Sequence, residues 1–410
     1  MRRKYLILII MFFFTSCEKS QDNNDPLIRF YGDAYEDVGY SISTAEGGYI
    51  IAGLFTEITR IENNYIEKYT RKMAVIRTDA DGNTVWENKL GDNFPAEGSK
   101  VISLDDGAFL CAGYTIDTVS SQKNMFVVKL NGDGAVAAQK IFERSGNQYG
   151  TDIIKTPEGF MILGVTDVAK PASAESLGNI SGKKDILVLR IDDNLDWIDE
   201  FAYGFPGNDE GVAFKADSDG GYIVVGTTDR SELDKSEQDQ NNIFLLKINS
   251  VGGAPEFRIV GGIDDEYAAD IEVLSDGYFV VGTIGSDGSA QKGYGWKFSS
   301  NINAPIILKH DIVIKTSPSE NLSLSVNAIA RYKSNSFVMA GQAVIGSSTK
   351  MVIFVTDADG YPVDGKNIIA GSTGSQVAYD VISDDNDNII AVGKNSYGNN
   401  SMISLLKIRF

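Results

Sequence analysis

The stretch Gly47-Gly48-Tyr49-Ile50-Ile51-Ala52-Gly53 decides the fold, because a short apolar run that closes on glycine occurs seven times along the 410 residues. The closing glycines are Gly53, Gly113, Gly164, Gly226, Gly282, Gly341 and Gly393. Their spacing of roughly 50 to 60 residues is about the length of one four-stranded sheet in a radial repeat. The sequence therefore predicts an all-β, seven-bladed β-propeller built from four-stranded antiparallel blades.

The first copy shows how one blade follows from its residues. Segments rich in Val, Ile, Tyr and Phe predict strands a to d at Val38 to Ser43, Tyr49 to Ala52, Met73 to Thr78 and Asn83 to Lys89. The turns between them carry Asp and Gly, which tolerate the left-handed backbone conformations of hairpins. After the N-terminal leader, no segment shows helical periodicity, so strands account for the whole repeat.

The two ends of the chain complement each other. The seventh copy reaches Phe410 directly after its third strand, while the residues before the first copy, Leu-Ile-Arg-Phe-Tyr-Gly-Asp at 27–33, resemble the end of a fourth strand. Since an unpaired strand edge is costly, we expect Leu27 to Tyr31 to pair with Met402 to Ile408. The ring is then closed by the N-terminal strand, which completes the last blade.

Composition sets limits on the class of protein. An apolar fraction of 43% and a charged fraction of 23% are typical of a globular chain, and we assign residues 27–410 to one propeller domain. The formal net charge is -19, so a polyanion would be repelled from most of the surface. Nucleic acid is therefore excluded as a partner, whereas cations and neutral polymers remain compatible.

The first residues predict that the chain is exported to the cell envelope. Arg2, Arg3 and Lys4 precede an apolar run from Tyr5 to Phe14, which at about ten residues is too short to span a membrane. Residues 1–16 are therefore predicted to be a signal peptide. Thr15-Ser16 before a cysteine resembles a lipobox, so we expect lipidation of Cys17 and a flexible tether over residues 17–26.

This leader has two open alternatives. A plain cleaved signal without lipid is the competing interpretation of residues 1–17. The acidic, amide-rich tether resembles the surface-export signal of Bacteroidota lipoproteins, while a periplasm-facing tether is equally compatible with its composition. For a lipidated chain, with the tether on either side, the expected location is the cell envelope, at the outer membrane, with the membrane as a partner through the lipid on Cys17.

One polar position recurs at the start of strand a. Alignment of the copies places there Asp37, Glu97, Gln148, Asp209, Glu266, Leu324 and Gln376. Apart from the leucine, these acids and amides predict an oxygen-rich collar that could bind calcium or sugar hydroxyls. The alternative is that they cap the start of each blade. No other cofactor is indicated, and the metal, if one binds, is unknown.

A second recurring position, at the end of strand c, is basic. It comprises Arg77, Lys129, Arg190, Lys247, Lys297 and Lys407, with Val355 in the sixth copy. We expect structural pairs between blades there. The predicted b-to-c loops are long at 54–72, 165–184 and 227–242, and long loops on a rigid ring are where binding usually resides. The face with the b-to-c and d-to-a loops is therefore the predicted functional face.

Two residue types are scarce. Cys111 occupies a position where other copies have Ile or Val, so we expect a buried apolar role. His310 is the only histidine and lies in an alternating, strand-like stretch, which favours a strand-surface position over catalysis. Nucleophilic constellations that need histidine are accordingly not indicated.

Across 27–410, the repeated Asp-Gly-Gly-Tyr-Ile-Val-x-Gly pattern and the Asp-x-x-Gly-Asn-x-x-Trp hairpin resemble the propeller-repeat lipoproteins of Bacteroidota. Asp79 to Trp86 is also locally similar to the tryptophan-docking repeat of quinoproteins and to bulb-type lectins. No haem-attachment motif accompanies this hairpin, which disfavours a quinoprotein enzyme. The resemblance implies a seven-bladed propeller on the envelope and supplies no catalytic residues.

These observations favour a binding or scaffold protein without enzymatic activity. The expected ligand is a glycan, a cation-bridged polymer or a partner protein, held on the b-to-c and d-to-a loop face. The alternative is a glycan-active enzyme that uses paired carboxylates on the same face. Acids are plentiful, but the collar acids recur between copies as a structural element would, so no catalytic residue is assigned.

Overall fold

A computed structural model describes residues 26–33, 35–62, 65–91, 93–167, 184–205, 207–229, 240–285, 291–317, 320–371 and 373–410. Every regular element in these ranges is a β-strand. None of the elements in this part of the chain is a helix long and apolar enough to cross a membrane. The leader, the tether and Cys17 lie outside the described residues.

Five of the sheets have four antiparallel strands each, in simple sequence order. The first sheet consists of β2 (Val38–Ala45), β3 (Gly48–Glu62), β4 (Tyr65–Asp79) and β5 (Thr84–Leu90). The second consists of β6 (Ala96–Ser103), β7 (Phe109–Ile116), β8 (Lys123–Leu130) and β9 (Val136–Phe142). The third consists of β10 (Gln148–Thr156), β11 (Gly159–Thr166), β12 (Asp185–Ile191) and β13 (Trp197–Tyr203).

The next two sheets repeat the same order. The fourth consists of β14 (Asp209–Ala216), β15 (Tyr222–Thr228), β16 (Asn242–Ile248) and β17 (Glu256–Val260). The fifth consists of β18 (Glu266–Val273), β19 (Gly277–Ile284), β20 (Lys292–Ser299) and β21 (Leu308–Ile312). A short hairpin of β22 (Lys315–Ser317) and β23 (Glu320–Asn321) follows.

The remaining strands form one eight-stranded sheet. Its members are β1 (Leu27–Tyr31), β24 (Ser323–Tyr332), β25 (Ser336–Ile345), β26 (Ser348–Thr356), β27 (Pro362–Ala370), β28 (Ser375–Ser383), β29 (Ile389–Tyr397) and β30 (Asn400–Ile408). The four strands β24–β27 and the four strands β28–β30 plus β1 are joined only through the parallel pair of Thr349 and Ser375. We call these two groups the sixth and the seventh group.

The N-terminal strand pairs with the C-terminal strand, as predicted. β1 runs antiparallel to β30, from Leu27 opposite Lys407 to Tyr31 opposite Ile403. The Asp37 amide also donates to the Ser401 carbonyl at 3.1 Å, and the Tyr31 hydroxyl donates to the Gly82 carbonyl at 2.7 Å. The first residues of the described chain therefore connect the seventh group to the first sheet.

One predicted loop is a hairpin instead. Residues 54–72 were expected to form a long b-to-c loop, but β3 and β4 continue the ladder outward, with Glu57 opposite Thr70 and Glu62 opposite Tyr65. Alternation of Thr and Ile with charged residues in this segment supports strand pairing beyond the sheet body. The other two predicted loops fall mostly outside the described residues.

The hydrophobic core lies between consecutive sheets rather than within one. Each buried cluster takes side chains from two neighbours, as where Ile50 and Met73 of the first sheet pack against Val101 and Phe126 of the second. A further cluster joins the seventh group to the first sheet through Ile403, Leu405 and residues such as Ile42. Face-to-face packing of this kind accounts for the apolar runs on the middle strands.

Glycines in the outer turns dock onto aromatic rings of the preceding sheet. Gly134 has φ 89°, and a Cβ added there would lie 2.8 Å from the Trp86 ring, whose Nε1 donates to the Gly132 carbonyl at 3.0 Å. Both the backbone conformation and the close approach require glycine. Trp86 therefore joins the first two sheets.

The basic position at the end of strand c makes structural contacts. Lys247 contacts the Ser300 carbonyl of the next sheet at 3.3 Å, and Lys297 lies 3.7 Å from Asp359 of the sixth group. Lys129 and Lys407 likewise donate to the Asp193 and Ala80 carbonyls of neighbouring sheets. Arg77 and Arg190 instead contact their own sheets, at the Tyr49 carbonyl and at Asp199 respectively.

The two scarce residue types lie where the sequence predicted, with one difference. Cys111 is a fully buried free thiol on β7, and burial raises its pKa to about 12. His310 lies on β21 but is half-buried, because its ring stacks on Tyr361 at 4.3 Å and its Nε2 is 2.9 Å from the Asp359 carbonyl. The histidine thus bridges the fifth sheet and the sixth group.

Candidate functional site

The first strand of every sheet carries a β-bulge, which fixes the orientation of its residues. In β2 the register shifts between Gly39 and Ser41, and the equivalent shift occurs in β6, β10, β14, β18, β24 and β28. The residue just before each bulge defines a common register. Side chains one and two positions before that residue lie on opposite sides of the strand.

Five of the six predicted collar residues share one register position, two before the bulge. They are Asp37, Gln148, Asp209, Glu266 and Gln376, and each is at most 4% exposed. Glu97 does not belong with them, because it lies one position before its bulge and Ala96 takes the collar position in the second sheet. The bulge, rather than the apolar anchor, sets the true alignment.

The collar side chains bind backbone groups of the turns that enter each sheet. Asp37 accepts hydrogen bonds from the Thr56 and Asp33 amides, both at 2.8 Å. Asp209 accepts from the Phe205 amide at 2.6 Å, and Glu266 from the Gly262 amide at 3.2 Å. Burial raises the pKa of Asp37, and it raises that of Glu266 to about 7. These contacts are those of turn-capping residues.

The described part of the chain contains no group of three or more His, Cys, Asp or Glu residues placed to hold a metal ion. The collar carboxylates of Asp37, Asp209 and Glu266 contact the turns of three different sheets.

In four consecutive sheets the position one residue before the bulge is at least partly exposed and carries alternating carboxylates and tyrosines, whereas Val38, Ser325 and Val377 are buried at this position in the other three copies. It holds Glu97, Tyr149, Glu210 and Tyr267 in four consecutive sheets, and we call these four residues the Glu–Tyr row. All four are partly or largely exposed, in contrast to the buried collar. Because strand side chains alternate between two sides, a one-residue step changes the surroundings from protein interior to solvent.

Residues of the first two sheets support the start of the row. Arg71, on the outward hairpin, pairs with Glu36 at 2.7 Å and with Glu97 at 3.5 Å. The Tyr114 hydroxyl donates to the Glu97 carboxylate at 2.7 Å. Glu97 is therefore held in one orientation by a cation and a hydroxyl.

Lysines support the next two members. The Lys123 ammonium lies 3.9 Å from the centre of the Tyr114 ring and 5.0 Å from that of Tyr149, and burial lowers its pKa. Lys184 forms an ion pair and hydrogen bond with Glu210, which raises the pKa of the lysine. Cation–π contacts fix the tyrosine rings with one face toward a cation.

Charges along this surface balance. Three carboxylates and three bases lie here, although the whole chain has a net charge of -19. Arg71 pairs with both Glu36 and Glu97, Lys184 pairs with Glu210, and Lys123 lies over the tyrosine rings. A neutral ligand would meet ordered hydrogen-bonding groups and tyrosine rings here without a large charge to satisfy. Such surfaces suit polyhydroxylated molecules, since amphipathic tyrosines contribute both ring contact and hydrogen bonding.

A cleft of about 490 Å³ adjoins the start of the row. It is lined by Arg71, which pairs with Glu97 of the row, by Glu36, and by Tyr35, Tyr69 and Lys394. Tyr69 projects from the outward hairpin and is 65% exposed. The hairpin that replaced the predicted loop thus extends the aromatic surface.

A buried carboxyl pair lies between the third and fourth sheets, next in sequence to Lys184 and Glu210. Asp185 is 1% exposed and Asp209 is fully buried. Neither oxygen of Asp185 has a hydrogen-bond partner among the described residues. Burial and the neighbouring Asp209 raise the pKa of Asp185 to about 7. Sequence reasoning missed Asp185, although the equivalent residues of the second and fourth sheets are the amides Asn124 and Asn242.

The row was also missed from the sequence, and a usable signal existed. In five of the seven copies a Gly or Ala stands at the bulge two residues after an acid or amide, and the intervening residue is exposed where it is Tyr or Glu and buried where it is Val. Glu97 hid this pattern in the second copy. Its acidic side chain is of the collar type, but it lies one residue before the bulge residue Gly98, whereas collar residues lie two residues before it.

No family model and no curated protein matches the chain. Solved structures with a similar fold include the β-propeller domain of the Trilobed protease from Pyrococcus furiosus, which is 11% identical with a TM-score of 0.49 and covers 90% of this chain and 95% of that one. An arabinofuranosidase of Fusarium graminearum is 10% identical with a TM-score of 0.48, over 94% of this chain and 97% of that one. A protein of unknown function from Bacteroides caccae is 12% identical with a TM-score of 0.43, over 76% and 94% respectively.

Likeness at this identity concerns the fold alone. The succession of four-stranded antiparallel sheets that pack face to face, with the N-terminal strand paired to the C-terminal strand, defines the class of this protein as an all-β propeller repeat.

The expectation that this protein is not an enzyme is corrected by the same comparison. Most of the similar structures are enzymes, including an arabinofuranosidase, a peptidase, a sialidase and a glucose dehydrogenase. The propeller fold therefore gives no ground for excluding catalysis, because one fold hosts many functions. Function has to be argued from the site.

Proposed function

We propose that this protein binds a neutral glycan on the Glu–Tyr row. The observation that carries the proposal is the alternation of Glu97, Tyr149, Glu210 and Tyr267 at one register position, with their charges balanced by neighbouring bases. Tyrosine rings offer apolar faces for sugar rings, and the held carboxylates and ammonium groups offer acceptors and donors for hydroxyls. Spacing by one sheet per residue suits an extended chain.

The first test is a glycan screen with a parallel assay for released product. We expect saturable binding of a neutral oligosaccharide or polysaccharide that weakens little between low and physiological salt, because no net charge attracts it. Retention of only charged polymers, with binding lost in salt, would contradict the proposal. Product release from a bound glycan would add cleavage to binding and would identify a reaction on the same face.

Substitution of the row is expected to weaken glycan binding without loss of the fold. Tyr149→Ala removes a ring held over Lys123 and should weaken binding about 3- to 10-fold, from the usual worth of an aromatic contact. Isothermal titration with the glycan found in the screen measures this effect. Trp197→Ala removes an aromatic side chain on the outer strand β13 that is 49% exposed, and serves as the control with unchanged affinity.

We further propose that the eight-stranded sheet represents two blades, so that the ring has seven. Two features support this count. The backbone ladders of the sixth and seventh groups are joined by a single parallel pair, and the two groups otherwise pack against each other through a hydrophobic cluster, as the other consecutive sheets do. A crystal structure that shows these strands as one continuous twisted sheet would contradict it.

Lipid anchoring at the cell envelope is part of the proposal. The sequence up to Cys17 and its resemblance to Bacteroidota propeller-repeat lipoproteins support it. Expression of the full chain in a bacterial host that processes lipoproteins should give membrane-associated protein that carries acyl chains by mass spectrometry. Cys17→Ser should move it to the soluble fraction; a Cys17→Ser chain that stays on the membrane would exclude the anchor.

A further inference from the structure

A cavity of about 330 Å³ opens between the sixth and the seventh group, away from the Glu–Tyr row. Apolar side chains form most of its wall, notably Met351 and Leu406. At its edge are Ile28 and Phe30 of β1, which are 46% and 48% exposed. Its volume is at the lower end of the range for sites that hold small molecules.

The cavity exists because one core-filling position holds a small residue. Ser404 lies opposite the closing glycine Gly393 on the next strand. Residues at the same register in other sheets are mostly large and buried, namely Phe126, Leu187, Phe244, Tyr294 and Val352. Replacement of a large apolar side chain by serine leaves space, and close-packed interiors rarely leave such space without an occupant or a cost.

Two polar atoms that line this cavity have no hydrogen-bond partner among the described residues. They are the Gln376 Oε1 and the Ser404 Oγ, and both residues are 4% exposed. The amide nitrogen of Gln376 is already engaged with the Thr373 carbonyl at 3.3 Å and with Asn395 Oδ1 at 2.9 Å. Only its oxygen is free, so that oxygen needs a donor.

Gly371 leaves room for this oxygen, which a side chain at that position would displace. A Cβ added at Gly371 would lie 2.1 Å from Gln376 Oε1, and the glycine has φ 138°, which side chains rarely adopt. Buried polar groups without partners are uncommon and costly, at about 1 to 3 kcal/mol each. Two of them in one apolar cavity mark it as a site that is completed by a bound molecule.

We propose that this cavity binds a small, uncharged, mainly apolar molecule that carries a hydroxyl group. The hydroxyl donates to Gln376 Oε1 and accepts from the Ser404 hydroxyl, while the remainder of the molecule contacts Met351 and Leu406. Charged ligands are disfavoured because none of the described side chains that line the cavity is charged. The site is independent of glycan binding on the Glu–Tyr row.

The test compares two probes of equal shape that differ in one group, 2-naphthol and 2-methylnaphthalene. Equilibrium dialysis at pH 7, where 2-naphthol is neutral, measures both affinities. We expect 2-naphthol to bind about 10-fold more tightly, from two hydrogen bonds of ordinary strength. Equal affinities would overturn the assignment of the polar pair, and failure of both probes to bind would indicate a cavity that holds water only.

Two substitutions of Ser404 distinguish the contribution of its hydroxyl group to probe binding from the contribution of the cavity volume. Ser404→Ala keeps the cavity and should reduce the preference for 2-naphthol to less than about 3-fold while 2-methylnaphthalene still binds. Ser404→Leu introduces the side chain found at Leu187 in the third sheet and should abolish binding of both probes. Probe binding that survives Ser404→Leu would place the ligand elsewhere and overturn the proposal. Trp197→Ala is the control with unchanged binding.

Discussion

Asp185 is a carboxyl group buried beside a second buried carboxyl group, Asp209. In the neighbouring sheets the equivalent residues are Asn124 and Asn242, which carry no charge. An ionised carboxylate without hydrogen bonds in the interior is unfavourable, so Asp185 retains its proton to unusually high pH. This residue therefore makes folding depend on pH.

The sign of that dependence follows from the raised pKa of Asp185. Between its ordinary value of 3.8 and its folded value of about 7, the native chain holds a proton that the unfolded chain has lost. Its contribution to the free energy of unfolding therefore falls as the pH rises through this window and is constant above it. Asp185→Asn should remove this slope and stabilise the protein at pH 8 by about 1 to 3 kcal/mol.

Urea unfolding at pH 5 and pH 8 measures the effect. The matched control is Asp385→Asn, an exposed carboxylate in a turn, which should change the free energy of unfolding by less than about 0.5 kcal/mol. If Asp185→Asn gives the same gain at both pH values, or no more than the control, the buried pair does not titrate as described.

Residue type alone could predict a polar position at the start of strand a, but not its surroundings. Asp37 and Glu97 look equivalent by sequence, yet one caps a turn and the other lies on the exposed row. The difference is a single bulged residue, and a one-residue shift exchanges the two sides of a strand. Gly or Ala at the bulge marks its place, but these residues are common elsewhere in the strands, so residue type did not separate the two positions.

At the scale of elements, carboxylates join the first strands of neighbouring sheets. Asp152 accepts a hydrogen bond from the Phe214 amide at 2.9 Å, Asp270 from the Ile329 amide and Asp380 from the Ile42 amide, both at 3.0 Å. The ammonium of Lys100 lies 3.7 Å from both Asp152 and Asp380. Each carboxylate thus replaces backbone pairing between strands that are not in one sheet.

Loss of one such carboxylate should destabilise the junction between the two sheets that it joins, here the third and the fourth. Asp152→Ala is expected to lower the free energy of unfolding by about 2 to 4 kcal/mol, because it leaves the Phe214 amide without an acceptor and removes a partner of Lys100. Asp152→Asn keeps an acceptor oxygen and should cost less than half as much. Denaturant unfolding measures both variants.

Hydrogen exchange provides the local readout for this junction. The Phe214 amide should exchange faster in Asp152→Ala, whereas the Ile42 amide, bound by Asp380, should keep its protection. Unchanged exchange at Phe214 would mean that the contact does not hold the third and fourth sheets together.

Strand positions were the most predictable elements, since glycine-closed apolar runs and Asp-Gly turns mark both ends of a hairpin. The hairpin at residues 54–72 could not be predicted in this way, because a long hairpin and a long loop can have the same polar composition. Pairing there depends on register along the ladder, which single-sequence propensity does not specify.

For the whole molecule, everything depends on ring closure by β1. The Glu–Tyr row spans four sheets, and the cavity beneath Ser404 has β1 as one wall. The sequence could predict the pairing of β1 with β30, which we call the latch, because residues 27–33 resemble the end of the fourth strand that the last copy lacks. It could not predict the cavity, since a serine in an apolar strand gives no sign of what packs above it.

A designed disulfide across the latch tests closure most directly. Leu27 and Lys407 are opposite residues of the antiparallel pair and are both partly exposed. Opposite Cα atoms in such pairs are about 4.5 to 5.5 Å apart, within the range that a disulfide spans. We predict that Leu27→Cys with Lys407→Cys oxidises to an intramolecular disulfide and raises the melting temperature, because it closes a very long loop.

The control pairs Leu27→Cys with Arg409→Cys, which is two residues out of register and should form the disulfide slowly or not at all. Mass spectrometry of the oxidised proteins, with thermal unfolding before and after reduction, gives the measurement. Rapid disulfide formation only at Lys407, with a reduction-sensitive rise in melting temperature, is the predicted result. Equal crosslinking of both pairs, or none at Lys407, would contradict a ring latched by the N-terminal strand.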